Sequence, residues 1–184
     1  ICRINHLISL LETPKSAGIR LYPANANGDM TTNPIPSFLA VAIDENGDDL
    51  VPGNIDTPCY ICKADGDVDK VSVQKATDMI NGMKKDIKVG TVFEPLRNIL
   101  PGNSTEYFKA AFNRKVLEDT IDENNLESGI DRSRLHSVRF DIVNLNVLEG
   151  NNTTSLKTVA ISPADSNGNI LGNNAQLSML PCPP

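Results

Sequence analysis

The sequence predicts an α+β fold in which two related units, each a helix plus antiparallel strands, pack into one body. Three observations predict it. Short helical patterns alternate with apolar runs of strand length. Two such runs lead into Asn-Gly turns, Glu45-Asn-Gly-Asp48 and Asp165-Ser-Asn-Gly168, and Asn-Gly supplies the positive φ of a tight hairpin. The same ordered features occur twice along the chain.

The elements follow in order. Leu7, Leu10 and Leu11 fall at i, i+3 and i+4, so residues 5–13 read as a short helix that Pro14 stops. Residues 17–24 (AGIRLYPA) and 37–44 (SFLAVAID) read as strands, and Asp49 to Val51 as a short return strand. Residues 52–70 carry Pro, Gly and Asp and read as irregular, with KADGDVDK the most linker-like piece. Ser72 is an N-cap for a helix over residues 72–86, whose apolar face is Val73, Ala76, Met79, Ile80 and Met83. Residues 107–112 read as a strand, after which Asn113 caps a helix with Val116, Leu117, Thr120 and Ile121 inward. Residues 125–134 read as a polar loop. Residues 135–143 alternate at Val138, Phe140 and Ile142, and residues 156–162 form the next strand.

The repeat is visible when these pieces are matched. GIRLY matches SVRFD, which sets Arg20 against Arg139. FLAVAID matches LKTVAIS, with Val41-Ala-Ile43 against Val159-Ala-Ile161 and three extra residues, Ser162-Pro-Ala, in the second copy. DENG matches DSNG, and Pro58-Cys59 matches Pro181-Cys182. The units are residues 1–62, incomplete at the front, and residues 71–184, with residues 63–70 as linker. The alternative organisation is two small domains joined near residues 63–70.

Assembled this way, the sequence resembles a group of uncharacterised short bacterial proteins. Their pattern runs from a helix like VSVQKATDMI through a strand and capped helix like FKAAFNRKVLEDTI. A GIR-type strand, a D-x-N-G turn and a Pro-Cys-Pro-Pro-like tail follow. The second copy departs from it, reading HSVRFD where GIR is usual. The resemblance implies architecture, in tandem duplication, and no chemistry.

Composition excludes some functions. The net charge is −6, and Lys84-Lys85 is the densest cationic run, so no clustered cations exist to track phosphates. Nucleic-acid binding is therefore not expected, nor docking on an anionic membrane. No apolar run approaches the roughly 18–20 residues of a spanning helix. The chain begins Ile-Cys-Arg, which reads as a processed or truncated start and leaves the compartment open.

The candidate chemistry is sparse. Cys59-Tyr-Ile-Cys62 is a CxxC, and with Cys182 and a fourth ligand, Cys2 or His6, it could hold zinc. The same cysteines read equally as a disulfide or free thiols, and a redox role would need a helix N-terminus that the Cys59 context does not promise. The acidic stretches 44–49, 65–69 and 165–169 lack the register of a calcium loop and read as hairpin turns. His6 and His136 lack any signature linking them to a nucleophile. Arg20 and Arg139 could form one pseudo-symmetric pair reading a carboxylate or phosphate, or each could bridge to an acid such as Asp141. The resulting expectation is a non-enzymatic binding or interaction module. Its alternatives are a small metal- or thiol-dependent protein, and an enzyme whose site is assembled from loops.

Overall fold

The computed structural model describes residues 1–26, 36–50, 59–63, 65–66, 68–76, 78–79, 110–149 and 152–178, with residues 36, 144–149 and 152–157 described by backbone alone. It contains two antiparallel sheets and a few short helices. The mix is that of an α+β chain weighted toward strand.

In chain order the elements are β1 (Cys2–Arg3), α1 (Ile4–Leu11), β2 (Gly18–Asn25), β3 (Pro36–Ile43), β4 (Cys59–Lys63) and β5 (Val68–Val71). Then come β6 (Ala110–Asn113), α2 (Arg114–Ile121), β7 (Ser137–Glu149), β8 (Asn152–Ala164) and β9 (Gln176–Leu177). Two 3-10 turns follow α2: Glu123–Asn125, and Arg132–Arg134 within residues 125–134, the stretch expected as a polar loop.

The helices form where the apolar spacing puts them. Leu7, Leu10 and Leu11 of α1 are buried on one face. Asn113 caps α2 by accepting from the Val116 N–H at 2.8 Å, and Leu117 and Thr120 turn inward. Residues 73–76 and 78–79 are helical, with Ser72 Oγ accepting from the Lys75 N–H at 3.3 Å. The rest of the helix expected over residues 72–86 lies outside the described residues.

One sheet has the order β1-β7-β8-β9 and the other β5-β4-β3-β2-β6. Each sheet thus draws strands from both halves of the chain. β1 pairs with β7 through Cys2↔Val138 and Arg3↔Ser137, while β6 pairs with β2 from Gly18↔Asn113 to Leu21↔Ala110. α1 therefore leads from the four-stranded sheet to the five-stranded one, and α2 leads back. Gly18 permits the close β2–β6 approach, because a Cβ there would overlap the Phe112 carbonyl oxygen.

Residues 63–70, expected as a linker, carry the β4–β5 hairpin instead. Lys63 ends β4, and Cys59↔Val71 and Cys62↔Val68 bracket the ladder. The strands β7 and β8 are also longer than expected, 13 residues each, paired without interruption from Ser137↔Ala164 to Glu149↔Asn152.

The main core lies between the sheets. Ile19, Leu21, Ala40, Ala42 and Phe112 face it from one sheet, Val138, Phe140, Val159 and Ile161 from the other, and Leu7, Leu10 and Leu117 join from the helices. Phe38 and Phe140 meet edge to face across it, with ring centroids 5.9 Å apart. A second cluster covers the outer face of the five-stranded sheet, where Leu39, Val41, Cys59 and Ile61 lie with Val71, Ala76 and Met79.

Several backbone bonds recur in matched places. The Ile4 N–H donates to His136 O at 3.1 Å, and the Arg114 N–H to Ala17 O at 2.7 Å. The Ala17 N–H donates to Ile43 O, and the His136 N–H to Ala164 O. Isolated bridges join Ile43 to Asp49 and Ala164 to Ile170.

This register corrects two sequence matches. Gly18 pairs with Ile43, and Ser137 with Ala164, so Val41-Ala-Ile43 stands against Ser162-Pro-Ala164. The Val159-Ala-Ile161 likeness is out of phase by three residues, and an odd shift reverses every side chain. Val41 indeed packs in the outer cluster while Val159 packs between the sheets. Likewise Tyr60 and Ile61 pair with Ala40 and Leu39, whereas Gln176 and Leu177 pair with Ile161 and Ala160. Gln176 and Leu177 thus hold the places of Tyr60 and Ile61, and Pro181-Cys182 lies beyond them, outside the described residues.

Candidate functional site

The polar groups with the most internal partners gather at the two Asx turns. In the first turn Asp44 Oδ1 accepts from the N–H groups of Asn46 and Asp48, both at 2.9 Å. In the second, Asp165 Oδ1 accepts from those of Asn167 and Asn169, again both at 2.9 Å. Gly47 and Gly168 follow with φ of 80° and 79°, the left-handed conformation that glycine adopts without a Cβ penalty. The carboxylates expected to shape hairpin turns are thus occupied by backbone donors, which is what an Asx turn does.

Arg20 is clamped onto the first turn. It alternates with Ile19 and Leu21, which fill the core, so it emerges on the outer face of β2 with Tyr22. Its Nη1 donates to Asp49 Oδ1 at 2.6 Å and its Nη2 to the Gly47 carbonyl. Tyr22 Oη donates to the other Asp49 oxygen at 2.5 Å. Burial, and then the bond to Asp49, push the Tyr22 hydroxyl up to about 12. Burial works against the Arg20 charge, but the bonds to Tyr22 and Asp49 outweigh it and raise the Arg20 pKa.

Arg139 makes the related contact at the second turn with a different acid. Its Nη1 donates to Gly168 O at 3.5 Å, and its Nε to Asp141 Oδ1 at 2.9 Å. Ile170 bridges Ala164 as Asp49 bridges Ile43, so at the second turn the acid lies on β7 and not on the return strand. The Asp165 carboxylate instead takes Arg134, at 2.9 Å, and Asn169 Nδ2, at 3.0 Å. The bonds from Asn169 and Arg134 hold its carboxyl well below the usual carboxylate range.

The expectation that Arg20 and Arg139 read one ligand together is corrected here. Arg139 alternates with Val138 and Phe140, which face the shared core from the opposite side. The two guanidinium groups therefore lie on opposite outer faces. The bridging alternative describes them, with Asp141 as the partner of Arg139 and Asp49 that of Arg20.

The CxxC is also divided. Cys59 and Cys62 sit three residues apart in a strand, which places them on opposite faces. Cys59 packs in the outer cluster and Cys62 between the sheets. The pair cannot converge on one metal ion, so the zinc arrangement built on it does not form. Cys2, Cys59 and Cys62 are free and buried. Burial pushes the Cys59 thiol up to about 11, and burial, with Cys2 as a neighbour, raises the Cys62 thiol well above its ordinary value. Cys182 lies outside the described residues. Among the described residues no cluster of three or more His, Cys, Asp or Glu could hold a metal.

His6 packs on Tyr60 in a tilted contact, with ring centroids 4.7 Å apart, and burial lowers its pKa. Tyr60 Oη donates to Ser9 Oγ at 3.2 Å. His136 is exposed, and its backbone joins the β1 and β8 bonds described above. Sequence reasoning missed Tyr22, Asp49 and Arg134. The alternation in GIRLY was the available signal for Tyr22, since it puts Arg20 and Tyr22 on one face.

The outer faces of the two sheets differ. Ile61 on β4 is fully buried, under the cluster that holds Ala76 and Met79. Leu177, in the same place on β9, is 45% exposed, and Ile170 is 44% exposed. Both share a face with Arg139 and Asp141, by their pairing with Ala160 and Ala164. Among the described residues no helix is long and apolar enough to cross a membrane.

No family model matches the chain, and no curated protein or solved structure matches it either.

Proposed function

We propose that the protein is a non-enzymatic binding module built on a duplicated scaffold, with the outer face of the four-stranded sheet as its binding surface. The duplication reading is supported by the paired helix-entry bonds, the matched Asx turns and the matched bridges. The exchange of β1 and β6 between halves makes one interleaved body of the two units. Binding is favoured over catalysis because the groups with chemical potential are engaged internally: Arg20 on Asp49, Arg139 on Asp141, and both turn carboxylates on backbone donors.

One observation carries the choice of surface. At the same place on the two sheets, Ile61 is covered by a helical apolar stripe and Leu177 is not. The partner is therefore an amphipathic helix that presents a stripe like that of Ala76 and Met79. The resemblance to short bacterial proteins would imply the same architecture.

A synthetic peptide of residues 72–86 is the direct probe. Titrated into the labelled protein, it is expected to shift amide resonances around Ile170 and Leu177, and Leu177→Asp abolishes those shifts. Shifts confined to other surfaces, or none at millimolar peptide, would contradict the reading.

A further inference from the structure

We propose that Cys2 and Cys62 form a thiol–disulfide site that links the two sheets and locks β1 in place. The pair is not the one the CxxC motif suggests. Cys2 belongs to β1 at the edge of the four-stranded sheet, and Cys62 to β4 inside the five-stranded sheet. Both are essentially inaccessible, 0% and 1% exposed, in the cluster between the sheets. Cys2 is among the neighbours that raise the Cys62 thiol pKa. The backbone supports the approach, because the Ile1 nitrogen donates to Lys63 O at 3.1 Å, which places residues 1–2 beside residues 62–63. Cys59 is turned to the opposite face of the same strand and is no competitor.

The chemistry is thiol–disulfide exchange with a low-molecular-weight disulfide. One protein thiolate attacks the reagent's S–S bond, forming a mixed disulfide and releasing one small thiol. The second protein thiolate displaces the other small thiol and closes the Cys2–Cys62 bond. Two protein thiols are oxidised, one reagent disulfide is reduced to two thiols, and the two protons lost by the protein thiols end, through solvent, on the two small thiols released. Access comes through β1. It is held in its sheet by two paired residues, Cys2 and Arg3, and such short edge segments open at lower free energy than the core. With β1 docked, burial shields both thiols. With β1 lifted, they meet water and reagent, and oxidation after redocking prevents β1 from leaving.

The test uses the full chain under native conditions with excess oxidised glutathione, followed by alkylation, digestion without reductant and mass spectrometry. The expected product joins the Cys2 peptide to the Cys62 peptide. Its melting temperature rises by roughly 5–15 °C, as a long closed loop predicts for a chain of this size, and falls back on reduction. The Cys59→Ala chain gives the same link. A dominant link through Cys59 or Cys182, a stable glutathione adduct without ring closure, or an unchanged melting temperature would overturn the proposal. Wild-type mapping needs no substitution in the core, so a misfolded variant cannot obscure the result.

Discussion

Arg20 and Arg139 lie on opposite outer faces of the molecule, each donating to the carbonyl of the turn glycine beside it, Gly47 and Gly168. Their separation makes their energetics independent. Arg20 is 15% exposed and holds the half-buried Asp49 and Gly47 carbonyl, so Arg20→Ala is expected to cost about 1–2 kcal/mol by removing these charge-assisted bonds. Arg20→Lys restores little of this, because an ammonium cannot reproduce the planar fork. Arg139 is 44% exposed, and Arg139→Ala costs less than about 1 kcal/mol. The double variant is additive to within about 0.5 kcal/mol. Urea unfolding of all four chains checks this, and a large coupling would indicate a shared site.

Asp165 gives a pH dependence. Its side chain is 9% exposed and its carboxyl titrates below the usual range, so the folded state holds that proton more weakly than the unfolded state does. Its contribution is complete above the unfolded value of about 4 and is lost as pH falls from there toward the folded value. Between neutral pH and pH ~3 the wild type should therefore lose more stability than Asp165→Asn, because that variant carries no titrating group at this position. At neutral pH Asp165→Ala is expected to cost more stability than Asp44→Ala, because Asp165 is the less exposed of the two and also holds Arg134 and Asn169.

Gly18 is needed for strand exchange. A Cβ at this position meets the Phe112 carbonyl and the Asn113 backbone. Gly18→Ala is expected to cost about 1–3 kcal/mol by forcing β6 from β2. Gly129 has φ of 94° but open space around it, so Gly129→Ala carries only the conformational cost of about 1 kcal/mol. Thermal unfolding of the two variants ranks them.

The cysteines should be slow. With Cys59 pushed up to about 11 and the buried Cys62 raised well above its ordinary value, neither is appreciably ionised at pH ~8. A thiol reagent at that pH should label them many-fold faster in denaturant than in buffer. Equal rates would contradict the burial.

The helices, the turns and most strands were legible because their signals are local. Leu7, Leu10 and Leu11 share one face in any helix, and Asn-Gly demands a turn. β4 was not legible, since Cys59-Tyr-Ile-Cys62 reads as a ligand motif and its alternation is hidden by apolar residues on both faces. β4 is buried on both sides, by the inter-sheet core and by the outer cluster, so no polar period marks it. The outer half of the β7–β8 ribbon was hidden for the opposite reason. Asn144, Asn146, Asn152 and Thr153 are polar and read as loop, while the pairing that makes them strand is set by the partner across the ladder. The sequence match that suggests a repeat does not keep its register in the fold, because Val-Ala-Ile recurs three residues out of phase and only strand pairing exposes the shift. The exchange of β1 and β6 is a long-range choice that no local pattern encodes.

Native-state hydrogen exchange on the full chain tests the interleaved body most directly. The amides of β2 paired with β6 and those of β7 in the inter-sheet region, around Leu21 and Phe140, should share one opening free energy to within about 0.5 kcal/mol, since neither sheet is complete without the other half. Two well-separated opening free energies, one for each sheet, would contradict a single interleaved body and favour two domains that unfold independently.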